Sequence, residues 1–158
     1  MREAHVYTPI LSERRGRESA LVPQIESSIH MERETLLRLA REAALRAHCP
    51  YSHFHVGAAL LADGKIYVGA NVEISSYGLS LCAERSALAA ALSDGAKKIT
   101  HVAVACVDAP GDAPLSARTP CGACRQWLAD LAPGAVIYID GFEQDLYLPD
   151  LLPHAFAL

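Results

Sequence analysis

Three cysteines stand at the starts of two predicted helices, and this arrangement constrains the fold more than any other feature of the chain. Cys82 begins the segment CAERSALAAALSDG, and Cys121 and Cys124 lie three residues apart in CGACRQWLADLA, directly after Pro120. Residues three apart in a first helical turn lie on one side, so Cys121 and Cys124 can bind one ion. If both helices direct their first turns at one point, three thiolates converge there, and the positive end of each helix dipole stabilises them.

Such a group of sulfur ligands predicts a zinc site, because tetrahedral thiolate coordination suits Zn²⁺. A structural zinc site closes its fourth position with another Cys or His, whereas a catalytic site leaves that position to water. The remaining cysteines do not fit as a fourth ligand. Cys106 follows the apolar run HVAVA, which is typical of a small buried residue, and Cys49 has no second cysteine nearby. The pattern therefore favours a catalytic Zn²⁺ whose water attacks a carbon centre.

Glu84 follows Cys82 by two residues and is predicted to act as a general acid and base. At that spacing it lies on another side of the helix, so it is not expected to be a second lateral ligand, but its carboxylate can reach the space in front of the metal. Zinc deaminases combine a ligand-x-Glu sequence with Pro-Cys-x-x-Cys, and the chain contains both, as CAE and PCGAC. A structural zinc module would need no such glutamate. A redox CxxC protein would leave the third cysteine unexplained.

The order of the predicted elements indicates an α/β domain. Helical spacing runs from Glu32 to about His48, and FHVGAALLADGKIYVGANVE predicts two strands joined by a turn at Asp63-Gly64. Further strands are predicted in ITHVAVACV, AVIYID and QDLYL, interleaved with the two cysteine-led helices. The order α-β-β-α-β-α-β-β implies a mixed sheet with helices on its faces.

Bulk properties narrow the class of protein. The net charge of −4 argues against a nucleic-acid partner, and no apolar run is long enough for a transmembrane helix. Residues 1–30 lack periodicity and the apolar core of a secretory signal, so we expect a mobile extension followed by one zinc-dependent deaminase domain over 31–158. We expect a cytoplasmic protein whose cysteines are free or metal-bound.

Residues 32–156 resemble the cytidine deaminase family, specifically its small homotetrameric type. YSHFHVGAALL resembles the first-strand motif, NVEISSYGLSLCAERSA the substrate and first zinc motif, PCGACRQWL the second zinc motif, and LLPHAF the carboxy-terminal end. The resemblance implies a three-layer α-β-α sandwich with a mixed five-stranded sheet. It also implies a nucleoside substrate and a homotetramer with shared active sites.

The same resemblance assigns roles to individual residues. The assigned residues are the zinc ligands Cys82, Cys121 and Cys124, the proton shuttle Glu84, the ribose-binding pair Asn71 and Glu73, Phe54 against the pyrimidine, main-chain groups of Ala83 at the base, Arg85 as the charge that balances the thiolates, and Tyr77 and Phe156 lent to a neighbouring subunit. An asparagine amide both donates and accepts, as a sugar hydroxyl requires. The Glu73 carboxylate accepts from a hydroxyl but repels a 5′-phosphate, which favours a free nucleoside. Arg125 is a second candidate for charge balance.

The predicted reaction is hydrolytic deamination of cytidine or 2′-deoxycytidine to the uridine product with release of ammonia, a step of pyrimidine salvage. Zinc-bound hydroxide would attack C4 of the ring. The alternative on the same scaffold is a deaminase of blasticidin S or of a modified cytosine nucleoside, and the presence of Glu73 favours cytidine.

Two positions depart from the family pattern. His55 replaces a proline and is expected to point away from Phe54, and Ile74-Ser75 is expected to reshape the pocket rim.

Overall fold

A mixed β-sheet of four strands organises the domain in the computed structural model, which describes residues 31–158. The strands are β1 (Val56–Ala62), β2 (Lys65–Ala70), β3 (Ile99–Cys106) and β4 (Val136–Ile139). They lie in the order β2-β1-β3-β4, in which β1 is antiparallel to both of its neighbours and β3 and β4 are parallel. The sheet is therefore mixed, as the order of elements predicts. The predicted extension over 1–30 lies outside the described residues.

The hairpin and the helices follow the predicted segments closely. Asp63 and Gly64 join β1 to β2 with φ angles of 49° and 78°, the left-handed conformation that a tight hairpin turn requires. The helices are α1 (31–44), α2 (Ala83–Ser93), α3 (Gly122–Leu131) and the short α4 (Leu148–Leu151), with 3₁₀ turns at Tyr77–Leu79 and Leu115–Ala117. Within the described part of the chain, none of these helices has the length and apolar character needed to cross a bilayer.

Alternate residues of the central strands pack against different helices, so the sheet is covered on both faces. On β1, Ala59 belongs to a buried cluster with Ala40 of α1. The next residue, Leu60, belongs to a second cluster with Leu88 of α2 and Leu128 of α3. Because neighbouring residues of a strand point to opposite faces, α1 forms one layer and α2 with α3 forms the other.

The prediction of a five-stranded sheet is wrong, because the sheet has four strands among the described residues. Segment 144–148 makes a single antiparallel bridge, in which Ile137 and Leu146 exchange N–H···O bonds of 2.9 and 3.0 Å. The carboxylate of Asp145 instead forms an ion pair with Arg33 of α1 at 2.6 Å. The chain then enters α4 only two residues after the bridge, which leaves no length for a ladder.

The end of α1 also differs from the expectation, because the helix stops at residue 44 rather than near His48. The main-chain N–H of His48 donates to the carbonyl of Asn71 at 3.0 Å, and its own carbonyl accepts from the N–H of Glu73 at 2.7 Å. These bonds hold His48 in an extended bridge beside Val72. Tertiary hydrogen bonds therefore end the helix before Pro50 is reached.

Two glycines in the sheet allow the backbones of α1 and α2 to pack directly against the strands. A Cβ at Gly57 of β1 would lie 1.9 Å from the carbonyl oxygen of Ala40 in α1. A Cβ at Gly69 of β2 would lie 2.5 Å from the carbonyl oxygen of Ala83, the first residue of α2. Any side chain at either position would push a helix off the sheet, and at Gly69 it would displace the start of α2.

We expect Gly57→Ala to lower the free energy of unfolding by about 3 kcal/mol, because the added methyl group meets helix backbone that cannot rotate away. Chemical denaturation of the purified variant measures the change. Gly134→Ala is the matched control, since a Cβ there would meet no atom within 4 Å. Equal stability of the two variants would show that α1 does not pack on β1 in this way.

Candidate metal centre and adjoining cavity

The three predicted zinc ligands lie together at the starts of α2 and α3. Cys82 is the N-cap residue of α2 and Cys121 is the N-cap residue of α3, both with extended backbone at ψ angles of 156° and 167°. Neither side chain caps its own helix. Cys124 follows in the first turn of α3 and is fully buried. The two helix starts thus converge through their sulfurs, as the sequence predicts.

The distances between the sulfurs fit a tetrahedral zinc ion. The Cys121 Sγ lies 3.6 Å from the Sγ of Cys82 and 3.6 Å from that of Cys124, and all three sulfurs lie within 4.8 Å of one another. A disulfide would need about 2.05 Å, whereas thiolates about 2.3 Å from a tetrahedral zinc stand about 3.8 Å apart. All five cysteines are free. Within residues 31–158 the group holds three ligands, which corresponds to catalytic rather than structural zinc sites.

Arg85 brings positive charge to the sulfur group. Its guanidinium donates to the Ser80 carbonyl at 3.0 Å and to the Cys82 Sγ at 3.8 Å, and it lies over the Trp127 ring. Hydrogen bonds from Cys124 and Arg85 lower the pKa of Cys82 to about 5, against the opposing effect of burial. The hydrogen bond to Cys82, together with burial, raises the pKa of Cys124. The Cys82 thiol therefore ionises more readily than the Cys124 thiol.

Arg125, the other candidate for charge balance, is engaged elsewhere. Its guanidinium donates to the Pro120 carbonyl at 2.7 Å, the Leu151 carbonyl at 2.9 Å and the Thr119 hydroxyl at 3.0 Å. These bonds fix the turn that precedes the second zinc motif. Of the two arginines, Arg85 is the one in contact with a thiolate.

Glu84 is buried beside the sulfurs, with 4% of its surface exposed. Burial raises the pKa of its carboxyl to about 7, although its own main-chain N–H partly offsets that rise. A carboxyl group whose pKa lies near 7 can both take up and release a proton at neutral pH. Its position in the first turn of α2 places this group next to Cys82.

A cavity of about 390 Å³ opens beside the metal centre, a size typical of small-molecule sites. It is bounded by the start of β1, the end of β2, the two 3₁₀ turns and the helix starts. The predicted site residues that line it are Phe54, Asn71, Glu73, Tyr77, Cys82, Glu84, Arg85 and Cys121. Three predicted site residues are not among the lining residues, namely the buried zinc ligand Cys124 and the substrate contacts Ala83 and Phe156. Ala83, the first residue of α2, is fully buried, and Phe156 lies on the tail, where it contacts Gln126.

The Glu73 carboxylate is oriented by four hydrogen bonds from its own chain. It accepts the main-chain N–H groups of Tyr51 and Ser52 at 3.1 and 3.0 Å, the Ser52 hydroxyl at 2.5 Å and the Tyr77 hydroxyl at 3.3 Å. The hydrogen bond from the Ser52 hydroxyl is the main reason that the pKa of Glu73 is lowered. The carboxylate is therefore held ionised at the cavity wall.

The Asn71 amide bridges two main-chain groups of the cavity wall. Its Nδ2 donates to the Phe54 carbonyl at 2.9 Å, and its Oδ1 accepts the N–H of Val56 at 2.9 Å. Each amide atom keeps one further hydrogen or lone pair for a ligand. His55, between these two residues, bonds Asp108 through its ring Nδ1 at 2.7 Å and is not among the lining residues.

Arg118 and Cys106 line the cavity although no sequence pattern assigns them to a site. Arg118 is buried, donates to the carbonyls of Pro110 and Asp140, and lies over the Phe142 ring. A lone arginine in a predicted loop carries no motif, so its burial could not be foreseen. Burial raises the pKa of Cys106 to about 11, which keeps the thiol neutral, as expected of a small buried residue.

Comparison with known proteins identifies the family. Residues 30–140 match the family model for the cytidine and deoxycytidylate deaminase zinc-binding region. The chain belongs to the cytidine and deoxycytidylate deaminase family. The cytidine deaminase of Halalkalibacterium halodurans is 43% identical over 132 residues, which cover 80% of this chain and 96% of that protein. The cytidine deaminase of Mycobacterium tuberculosis is 46% identical over 120 residues, which cover 75% of this chain and 85% of that protein.

Solved structures of the family share the fold of this deaminase. The cytidine deaminase of Burkholderia pseudomallei matches with a TM-score of 0.68 at 39% identity, over 78% of this chain and 98% of that one. The enzyme from Mycobacterium tuberculosis matches with a TM-score of 0.66 at 37% identity, over 79% of this chain and 97% of that one. Together with the convergent sulfurs, these matches make the protein a zinc-dependent hydrolytic enzyme.

We expect the purified deaminase to carry about one Zn²⁺ per chain, as a mononuclear thiolate site holds. Cys121→Ala should lose most of this zinc, because Cys121 neighbours both other sulfurs at 3.6 Å. Elemental analysis after gel filtration measures the content. Cys49→Ala removes a buried cysteine outside the group and should retain the metal. Full zinc content in Cys121→Ala would contradict this assignment.

Proposed function

We propose that this deaminase hydrolyses cytidine or 2′-deoxycytidine to uridine or 2′-deoxyuridine and releases ammonia. The observation that carries the proposal is the pairing of three convergent cysteine sulfurs with a buried carboxyl, Glu84, whose pKa is raised to about 7. The two stand at one end of a cavity large enough for a nucleoside. Relatives at 43% and 46% identity are named cytidine deaminases.

The proposed ligands Cys82, Cys121 and Cys124 hold the zinc, which when bound supplies the Lewis acid that makes water nucleophilic near neutral pH. Glu84 takes up the proton that the attacking water loses at C4. It delivers this proton to ring N3. It then takes the remaining proton from the oxygen now bound to C4 and delivers it to the amine, so that the C4–N bond breaks, ammonia leaves and a C4 carbonyl replaces the amino group. A pKa near 7 suits a group that must both accept and donate within one turnover. Arg85 balances the charge of the thiolates.

The nucleoside is bound by the opposite wall of the cavity. Phe54 packs against the pyrimidine, and Asn71 and Glu73 bind the ribose hydroxyls. At the metal end, main-chain groups of Ala83, between Cys82 and Glu84, contact the base. The hydrogen bond from Tyr77 to Glu73 is the longest of the four to that carboxylate, at 3.3 Å. A ribose hydroxyl can therefore take the place of the Tyr77 hydroxyl.

The active enzyme is proposed to be a homotetramer with shared active sites. Tyr77 and Phe156 are large side chains that are 58% and 67% exposed in the single chain. Their exposure supports the role that family resemblance gives them, as residues lent to a neighbouring subunit. We place the enzyme in the cytoplasm, in pyrimidine salvage, with the catalytic domain over 31–158.

Glu84→Gln should lower kcat for cytidine by about 10³- to 10⁴-fold, because the amide cannot shuttle a proton. Zinc content should stay at the wild-type level, since Glu84 is not a ligand. An ammonia-release assay, run beside metal analysis, measures both. Glu143→Gln, at an exposed position, is the control and should keep full activity. Near-wild-type turnover by Glu84→Gln would refute the role given to Glu84.

Glu73→Gln should raise KM for cytidine by about 10- to 100-fold, the effect of losing a hydrogen bond to a charged acceptor. It should also reduce the preference for cytidine over cytidine 5′-phosphate, because the repulsive charge is gone. Steady-state kinetics with cytidine, cytidine 5′-phosphate and blasticidin S measures both effects and separates the alternative substrate. A wild-type enzyme that turns over blasticidin S better than cytidine would overturn the proposed substrate.

A further inference from the structure

The carboxy-terminal tail, residues 152–158, is bound to α3 through its main chain. The Gln126 Nε2 donates to the Phe156 carbonyl at 2.9 Å, and its Oε1 accepts the Phe156 N–H at 3.1 Å. One amide side chain thus pairs with both main-chain groups of a single residue, as a neighbouring strand would. The preceding residue, Arg125, bonds the carbonyl of Leu151, the last residue of α4 directly before the tail, at 2.9 Å.

This contact and the sulfur group lie on different sides of α3. Gln126 follows Cys124 by two positions, which is a rotation of about 200° around a helix axis. Cys124 is fully buried, whereas Gln126 is partly exposed. Among the described residues that line the cavity, none comes from 148–158. The tail is therefore directed away from the cavity of its own chain.

Phe156 combines a fixed main chain with a free side chain, since 67% of its surface is exposed. Ordering a segment costs conformational entropy. An aromatic ring that stays in water does not offset this cost, because only burial of the ring would stabilise the ordered segment. An aromatic side chain that is already positioned but uncovered is suited to anchor in a pocket of a partner. The cavity of a second copy, walled by Phe54 and Tyr77, offers such a pocket.

We propose that Gln126 is a positioning residue that holds the tail on α3, so that the Phe156 side chain enters the cavity of a second copy of this chain. The proposal rests on the shared active sites of the proposed function. It gives α3 two tasks. Its first turn provides zinc ligands for one site, and its second turn positions the tail that completes another.

Gln126→Met tests the role, because methionine has a similar length and helix propensity but cannot make either hydrogen bond. We expect KM for cytidine to rise about 10-fold or more, because the Phe156 side chain would no longer be held in position to contact the substrate. Zinc content should be unchanged. Gln144→Met, the same substitution at an exposed loop position, is the control and should leave KM unchanged. Gln126→Glu keeps only the acceptor for the Phe156 N–H and should give an intermediate KM.

A double variant separates positioning from a general structural role. Phe156→Ala should raise KM, and adding Gln126→Met should raise it no further, because Gln126 acts through that side chain. Co-expression of Glu84→Gln chains with Gln126→Met chains should give more activity than the two expressed separately. In mixed oligomers, some sites combine an intact Glu84 with an intact tail from another chain.

The outcomes distinguish this proposal from the proposed function. If Phe156→Ala raises KM but Gln126→Met does not, or if the two effects add, the positioning role is overturned and the shared site stands. If co-expression restores nothing, the tail does not act in another chain. If Phe156→Ala leaves KM unchanged, or a monomer is fully active, the shared site itself fails.

Discussion

The convergence of two helix starts on one group of sulfurs is the constraint on which the rest of this structure depends. Three thiolates within 4.8 Å of one another repel unless a cation lies among them, so the fold must hold two helices at a defined distance and direction. Main-chain packing at Gly69 sets the start of α2 against the sheet. The Arg125 bonds to Pro120 and Leu151 set the turn before α3.

The polar residues around the cavity are oriented before any ligand arrives. Asn71 bonds the main chain of Phe54 and Val56, and Glu73 bonds the turn at residues 51–52. Each side chain is thereby held in one orientation, so little conformational entropy is left to lose on binding. The burial of Glu84 raises the pKa of its carboxyl to about 7, which is the range that the proposed proton transfer requires at neutral pH. The orientation of Asn71 and Glu73 and the raised pKa of Glu84 thus both result from packing.

Where prediction from the sequence failed, a tertiary contact outweighed a local preference. QDLYL has a pattern that favours a strand, but one bridge to Ile137 and the onset of α4 leave it no ladder. The end of α1 is set by hydrogen bonds from His48 to the chain after β2, which no spacing within the helix reveals. The tail contact at Gln126 likewise joins residues 30 positions apart and belongs to no motif.

The sequence by itself determined which three cysteines converge, that a glutamate stands beside them, the hairpin turn and the α/β class. Each of these depends on residue types at short spacings along the chain. At such spacings, local backbone geometry alone decides which residues share a helix face and where a tight turn forms. Only the tertiary structure decided which arginine meets the thiolates, how Glu73 and Asn71 are oriented, and that Arg118 lines the cavity. These depend on contacts between distant segments, because burial and hydrogen-bond partners exist only once the chain has packed.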